Sequence, residues 1–166
     1  MIIREETEAD LDAISALNRE VFGGDYEAVL IEKLRAAGLI LASLVAVDGD
    51  EVKGHILFSR LPTMIDGRQV NAAALAPMAV SPASQRQGIG SKLVTEGLDR
   101  MKGKSVEAVI VLGHTGYYPR FGFSPALTKN FTSPFRGKSA FMGLELITGA
   151  LAGGEGSINY PEAFGL

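Results

Sequence analysis

The feature that most constrains this chain is an apolar run that ends in a short polar loop containing two glycines. Residues 72–80 carry no charged side chain, which is typical of a buried strand, and the loop spans residues 85–90 (QRQGIG). Beyond the loop, Leu93, Val94 and Leu98 recur at helical spacing. The pattern therefore predicts a strand, a glycine loop and a helix in direct succession.

The loop has the features of a diphosphate-binding site. The N–H groups in the first turn of a helix have no partner within the helix, and the helix dipole adds partial positive charge there. Gly88 and Gly90 allow a phosphate to approach the backbone, and Arg86 and Lys92 can supply full charge beside it. A glycine-bearing turn that binds nothing has the same spacing, because short glycine motifs are weak signals. Both interpretations stay open on the spacing alone.

The composition excludes several classes of function. The chain has 166 residues and a formal net charge of −3, which argues against non-specific nucleic-acid binding. It has no cysteine and two histidines, so disulfides and cysteine nucleophiles are excluded and no metal site is predicted. No apolar run approaches the ~20 residues of a membrane helix, and the first residues do not resemble a signal peptide. We therefore expect a cytoplasmic protein with no membrane partner.

The periodicity of the rest of the chain predicts a mixed α/β (α+β) fold. Helices are predicted over residues 8–20, 26–37 and 88–102, and strands over residues 2–4, 39–47, 52–59, 70–80, 106–112 and 141–147. Asp-Gly pairs at 48–49 and 66–67 separate three of these strands, which predicts an antiparallel three-stranded meander. A short helical turn is predicted near Pro119, leading into another strand.

One proline falls inside the predicted strand that precedes the glycine loop. Pro77 cannot donate a hydrogen bond to a strand ladder, so this strand should bulge or splay at that point. The chain has no internal repeat and no linker. Residues 1–166 are therefore predicted to form a single domain, with residues 148–166 as a C-terminal tail.

These elements and two motifs resemble the GNAT (GCN5-related N-acetyltransferase) superfamily. The family's pyrophosphate-binding pattern, Gln/Arg-x-x-Gly-x-Gly/Ala, is matched by residues 85–90. Its second mark, a tyrosine a few residues before Gly-Phe, is matched by Tyr118 ahead of Gly122 and Phe123. The element order β-α-α-β-β-β-α-β-α-β over residues 1–147 is similar as well. Two motifs within this order are more specific than either motif alone.

The resemblance implies a fold and an activity. The fold is a mixed, mostly antiparallel central sheet flanked by helices and splayed at its middle strands to form an acyl-CoA cleft. The activity is transfer of an acetyl group from acetyl-CoA, the co-substrate, to a primary amine by direct attack through a tetrahedral intermediate, without a metal. Residues 112–123 further resemble a bacterial branch of predicted N-acetyltransferases with largely undefined substrates. The acceptor, a small molecule or a protein or peptide amine, stays open, as does the oligomeric state, including a homodimer.

The resemblance also implies roles for individual residues. The backbone of Met78, Ala79 and Val80 would pair with the pantetheine arm, and an N–H at 78 or 79 would polarise the thioester carbonyl. Tyr118 would protonate the departing thiolate. The pyrophosphate would be held by the loop and the helix start, which makes the remaining cofactor-binding residues Gln85, Arg86, Gln87, Gly88, Ile89, Gly90 and Ser91.

The general base is not specified by the sequence. Many family members carry a glutamate on the strand that corresponds to residues 70–76, and this strand has no carboxylate. His114 and His55 are the titratable candidates because imidazole has a pKa near neutrality, with His114 the better placed. A bound water or an already deprotonated amine would need no side-chain base. Because the carboxylate is missing, a non-catalytic acyl-CoA-binding sensor on the same fold is the alternative function.

Overall fold

Three α-helices and eight strands make up the structure, a computed structural model that describes residues 1–166. The helices are α1 (Leu11–Phe22), α2 (Tyr26–Ala36) and α3 (Ile89–Gly103). The strands are β1 (Ile2–Glu5), β2 (Ile40–Asp48), β3 (Glu51–Ile65), β4 (Arg68–Val80), β5 (Ala108–Leu112), β6 (Phe131–Thr132), β7 (Phe141–Glu145) and β8 (Gly156–Ile158). None of the helices combines the length and the apolar character that crossing a membrane requires.

The strands form one mixed sheet with mostly antiparallel pairing. Its hydrogen-bonded order is β1-β2-β3-β4-β5-β7, and β8 pairs with both β3 and β6. The pairs β1–β2, β2–β3, β3–β8 and β5–β7 are antiparallel, whereas β4–β5 and β6–β8 are parallel. The predicted fold class, a mixed and mostly antiparallel sheet with helices, is confirmed.

The ladder between β4 and β5 is short. It pairs Ala72–Ala74 with Ala108–Ile110, although β4 itself continues to Val80. Pro77 lies in the part of β4 beyond this ladder and has no N–H to donate. The end of the β4–β5 ladder at Ala74 agrees with the prediction that the strand is irregular around Pro77.

Two sequence predictions need correction. The element order that the resemblance implied has a helix between β5 and β7, but the structure has two short 3-10 turns there, Tyr118–Phe121 and Pro125–Leu127. Gly122, with a φ of +101°, ends the first turn, and the extended backbone of Ser124 before Pro125 separates it from the second, so one longer helix does not form. The segment after Gly122 makes one isolated bridge, from Ser124 to Gly143, instead of the predicted strand.

The chain divides into two compact units. Unit 1 comprises Met1–Ser59 and Ala76–Met101, and unit 2 comprises Arg60–Leu75 and Lys102–Leu166. The expectation of a single domain over residues 1–166 stays a prediction.

In unit 1, α3 packs closely against β3 because glycines lie at the contact. A Cβ atom on Gly97 of α3 would lie 2.2 Å from the ring of Phe58, which is fully buried. A Cβ atom on Gly54 of β3 would lie 2.9 Å from Leu93, also fully buried. The close approach fixes the position of α3, and with it the loop that precedes the helix.

In unit 2, the C-terminal segment is attached to the turn between β3 and β4. The Asp66 carboxylate accepts hydrogen bonds from the N–H groups of Gly154 at 3.0 Å and Glu155 at 3.1 Å. These bonds lower the pKa of Asp66 below its ordinary value. The ring of Tyr160 packs edge-on against Phe135 at 5.3 Å and Phe164 at 5.1 Å. The predicted tail therefore contributes β8 and an aromatic cluster to this unit.

His55 lies in the core of unit 1. Its side chain has no exposed area, its Nε2 lies 2.9 Å from Oγ of Ser43, and its Nδ1 lies 3.5 Å from Nδ2 of Asn18. Burial, and to a lesser extent the charge of Arg35, lowers the pKa of His55 from 6.5 to about 3. The imidazole is therefore neutral near pH 7 and forms part of a buried polar cluster.

The lowered pKa of His55 predicts that the protein loses stability as the pH falls below 6.5. The unfolded chain takes up a proton at His55 near pH 6.5, whereas the folded chain does so only near pH 3, so acid favours the unfolded state across this window. Between pH 7 and pH 5 the free energy of unfolding should fall by about 2 kcal/mol, measured by urea titration at each pH.

The exposed histidine provides the matched control for this measurement. His114→Gln should keep the pH slope, whereas His55→Gln should lose the slope together with part of the stability. Asp10, whose pKa is lowered by its bond with Arg4, keeps its contribution to stability between pH 7 and pH 5 and loses it only below about pH 4, so it does not disturb this window. If the free energy of unfolding depended on pH equally in His55→Gln and in the wild-type protein, the prediction would be contradicted.

Candidate functional site

Three hydrogen bonds hold the first part of the loop between β4 and α3. The N–H of Ser81 donates to the carbonyl oxygen of Lys53 at 2.8 Å, which ties the loop to β3. The side-chain Nε2 of Gln85 donates to the carbonyl oxygen of Val80 at 3.0 Å. Between them, the N–H of Ser84 donates to Ser81 and closes a 3-10 turn. The glutamine of the motif therefore holds the loop against the end of β4.

Two residues of the loop have left-handed backbone conformations. Arg86 has a φ of +64° and Gly88 a φ of +83°. A Cβ atom on Gly88 would have no protein atom within 4 Å, so the backbone conformation, not crowding, requires glycine there. Alternation of such conformations in a turn directs successive N–H groups toward one side, which is the geometry of an anion-binding concavity.

Helix α3 begins directly after this turn. The N–H of Lys92 donates to the carbonyl oxygen of Gly88 at 3.1 Å, which is a helical bond of the first turn. Ile89 and Leu93 are buried and hold the first turn against the core. The first turn carries no acidic side chain, and Arg86 and Lys92 are exposed. The helix start therefore has the positive electrostatic character that favours an anion.

The structure brings the predicted strand residues together with this loop. Met78, Ala79 and Val80 form the last three positions of β4, beyond its ladder with β5. Ala79 is buried, whereas Met78 and Val80 are half-buried. In unit 1, residues 78–91 thus form one continuous backbone segment of strand end, turn and helix start.

Tyr118 lies in unit 2, at the start of the 3-10 turn Tyr118–Phe121. Its side chain is buried and packs edge-on against Tyr117, with ring centroids 5.1 Å apart, and Phe123, at 5.7 Å. Burial, with a smaller contribution from Tyr117, raises the pKa of Tyr118 to about 12. The phenol is therefore protonated near pH 7 and can donate a hydrogen bond.

His114 contributes to the same turn through its backbone. Its carbonyl oxygen accepts hydrogen bonds from the N–H groups of Tyr117 at 3.1 Å and Tyr118 at 3.2 Å, while its side chain is exposed. Arg120 also holds the turn: its Nε donates to the carbonyl oxygen of Tyr117 at 3.0 Å, and its guanidinium lies 4.6 Å from the centre of the Tyr117 ring.

The other polar residues that the sequence raised, Asn71 and His55, have structural partners. Asn71, the polar side chain on the stretch of β4 where a carboxylate was missing, donates from Nδ2 to the carbonyl oxygen of Ser105 at 2.8 Å. Its own N–H donates to the carboxylate of Glu107 at 2.8 Å. His55 is enclosed in the core of unit 1, as described above. No group of three or more His, Cys, Asp or Glu residues is arranged to hold a metal ion.

Comparison with known proteins identifies the family. A family model described as an acetyltransferase (GNAT) domain matches residues 2–126. The chain is 37% identical over 166 residues to the uncharacterized N-acetyltransferase YhbS of Escherichia coli K12, covering 99% of this chain and 98% of that protein.

Two solved structures share the fold over nearly the whole chain. The crystal structure of YhbS from Escherichia coli in complex with CoA has a TM-score of 0.88 and 36% identity, covering 99% of this chain and 92% of that one. A GNAT family acetyltransferase from Brucella melitensis in complex with acetyl-CoA has a TM-score of 0.79 and 33% identity, covering 98% and 97%. With its strand end, glycine loop and helix start in the order that the resemblance implied, the chain belongs to the GNAT acetyltransferase family.

Proposed function

We propose that this protein is an N-acetyltransferase that transfers the acetyl group of acetyl-CoA to a primary amine of a small molecule, peptide or protein. The observation that carries the proposal is the segment 78–91, where a strand end beyond its ladder with β5, a left-handed turn and a helix start follow one another. Its relatives support the cofactor, because the YhbS and Brucella melitensis structures are complexes with CoA and acetyl-CoA.

The pyrophosphate of acetyl-CoA is assigned to the turn and the helix start. The left-handed conformations at Arg86 and Gly88, the dipole of α3 and the absence of acidic side chains in its first turn all favour an anion there. Arg86 and Lys92 are exposed and add positive charge. Since most of this contact is made by the backbone, the conformation of the turn matters more than any one side chain.

The pantetheine arm is assigned to the end of β4. Met78, Ala79 and Val80 lie beyond the ladder with β5, so the extended arm can pair with their backbone as an added strand would. An N–H group from Met78 or Ala79 would then donate to the thioester oxygen. This donor stabilises the negative charge that develops on the oxygen of the tetrahedral intermediate. Stabilisation of such a charge is usually the largest single contribution to catalysis.

The reaction forms a C–N bond and breaks a C–S bond. The amine nitrogen attacks the thioester carbonyl carbon. Collapse of the intermediate releases the CoA thiolate and a neutral amide, and the attacking nitrogen loses one proton in the process. The phenol of Tyr118, with a pKa of about 12, is a weaker acid than a thiol, whose pKa is about 8.5. Tyr118 therefore acts mainly by donating a hydrogen bond to the developing thiolate, while the amine supplies the net proton.

His114 is assigned as the acceptor of the amine's proton. Its side chain is exposed, and its backbone holds the turn that carries Tyr118. His55 is unsuited to this role because it is fully buried and its imidazole already contacts Ser43. An amine that arrives deprotonated would reach the same products without His114, and the pH dependence of the rate distinguishes the two routes.

Acetyl-CoA should stabilise the protein, and the turn at Gly88 should control its affinity. At 100 times the dissociation constant, the ligand should raise the free energy of unfolding by ~2.7 kcal/mol, measured as a thermal shift. Gly88→Ala should weaken binding by about tenfold, since alanine is strained by 1–2 kcal/mol at a left-handed φ. Gly49→Ala is the matched control, because Gly49 has a φ of +63° and similarly open surroundings in the β2–β3 turn. No stabilisation at millimolar acetyl-CoA would contradict the proposal.

Removal of the Tyr118 hydroxyl should slow turnover without weakening cofactor binding. Tyr118→Phe keeps the buried ring and removes the donor, so kcat should fall by about 100-fold while the thermal shift with acetyl-CoA is unchanged. Thiol release with a panel of primary amines, including free lysine, a lysine-containing peptide and a polyamine, measures the rate. Tyr117→Phe removes the neighbouring hydroxyl and should leave the rate near that of the unchanged protein. A fully active Tyr118→Phe enzyme would reject the role of Tyr118. A wild-type protein that binds acetyl-CoA but turns over none of the amines would favour the sensor alternative.

Replacement of His114 should alter the acidic side of the pH–rate profile. If His114 accepts the proton, His114→Gln lowers kcat by about 100-fold and changes the pH dependence of the rate. Gln keeps the backbone carbonyl that holds the turn, so the Tyr118 environment should persist. A pH profile that is the same in His114→Gln and the unchanged protein would show that the amine needs no side-chain base.

A further inference from the structure

We infer that Gly113 is a positioning residue for Tyr118, because its missing side chain leaves the space that the phenol ring occupies. The inference rests on the proposed function, since the position of the ring affects catalysis only if the Tyr118 hydroxyl takes part in the reaction. Both residues belong to unit 2, where Gly113 directly follows β5.

The ring of Tyr118 lies against the backbone of Gly113. A Cβ atom on Gly113 would lie 2.4 Å from Cε2 and 2.8 Å from Cδ2 of Tyr118. Both ring carbons are on the same edge, so this edge faces the glycine. The ring would have to move by about 1 Å to restore an ordinary contact distance of about 3.4 Å.

Neighbouring aromatic rings restrict such a movement. Tyr118 is 6% exposed and Phe123 is 2% exposed, and the two rings meet edge-on at 5.7 Å. Tyr117 packs edge-on against Tyr118 at 5.1 Å and against Phe121 at 5.4 Å. Because protein interiors are close-packed, a methyl group at position 113 would displace the phenol together with its neighbours.

Backbone conformation does not explain the glycine at position 113. Gly122 in the same segment has a φ of +101° and needs glycine for that reason, whereas the φ of Gly113 is outside the left-handed region. The N–H of Gly113 donates to the carbonyl oxygen of Ala140 at 3.0 Å, which any residue other than proline can do. The requirement at this position is therefore space for the ring.

The activity test compares Gly113→Ala with Gly116→Ala. Gly116 lies in the same loop, its φ is also outside the left-handed region, and a Cβ atom there would have no atom within 4 Å. Gly113→Ala should lower kcat by about 100-fold, the effect of a 1 Å misplacement, while the thermal shift with acetyl-CoA is unchanged. Gly116→Ala should leave kcat unchanged. A Gly113→Ala enzyme with normal kcat would overturn the inference.

The same substitution in the Tyr118→Phe background separates positioning from general damage. The hydroxyl is already absent there, so Gly113→Ala should cause little further loss of kcat. Equal losses in the two backgrounds would mean that Gly113 acts independently of Tyr118, and would overturn the inference.

A second readout follows the ring without measuring turnover. The chain has four tyrosines, so protein labelled with 3-fluorotyrosine gives few 19F resonances, and Tyr118→Phe identifies the one from Tyr118. This resonance should shift in Gly113→Ala and not in Gly116→Ala; no shift in Gly113→Ala would reject the inference. A shift combined with a fully active Tyr118→Phe enzyme would support positioning of the ring and reject only the proposed role of the hydroxyl.

A stability cycle covers the case in which Gly113→Ala does not fold. Tyr118→Ala removes the ring, so Gly113→Ala should lower the unfolding midpoint much less in that background than in the unchanged protein. A double variant that folds where Gly113→Ala does not would support the inference. If both fail to fold, or if the midpoint falls equally in both backgrounds, the added methyl group does not meet the ring and the inference fails.

Discussion

The hydrogen bonds that close the loop after β4 are the interactions on which the candidate site in unit 1 depends. The carbonyl of Val80 accepts from the side chain of Gln85, and the N–H of Ser81 donates to Lys53 on β3, so the loop can leave the strand in one direction only. The left-handed conformation at Gly88 then allows α3 to begin at once, and Ile89 cannot shift because it is buried. A strand end and a helix start are thereby held at a fixed separation, which suits a ligand that needs both backbone pairing and anion binding.

Much of this arrangement is encoded locally and could be predicted from the sequence. An apolar run, two glycines and an amphipathic stretch each act within a few residues, so β4, the loop and α3 were predicted within a few residues of their ends. The turn at residues 48–49 was similarly local: an Asp-Gly pair predicts a hairpin, and β2 and β3 pair antiparallel on either side of it.

Features that depend on distant partners were missed. β3 extends past its predicted end to Ile65 because β8, formed by residues 156–158, pairs with its last three residues. Leu61 and Thr63 are buried and alternate with exposed positions, as a strand requires, although a proline stands between them. The contact between Gly113 and Tyr118 is also invisible in the sequence, because it depends on how a 3-10 turn returns a ring to the end of β5. In both places the structure depends on tertiary packing, which local sequence patterns do not specify.

Burial of Tyr118 also determines what kinetic data on this protein would report. A phenol with a pKa of about 12 does not ionise anywhere in the range in which a folded enzyme is normally assayed. If its hydroxyl assists the leaving group, its contribution is constant up to strongly alkaline pH. A rise in rate that levels off between pH 8 and pH 11 would then be the titration curve of the acceptor's own ammonium group. Under the proposed function, the buried tyrosine would thus leave the basicity of the acceptor amine measurable from the pH dependence of the rate.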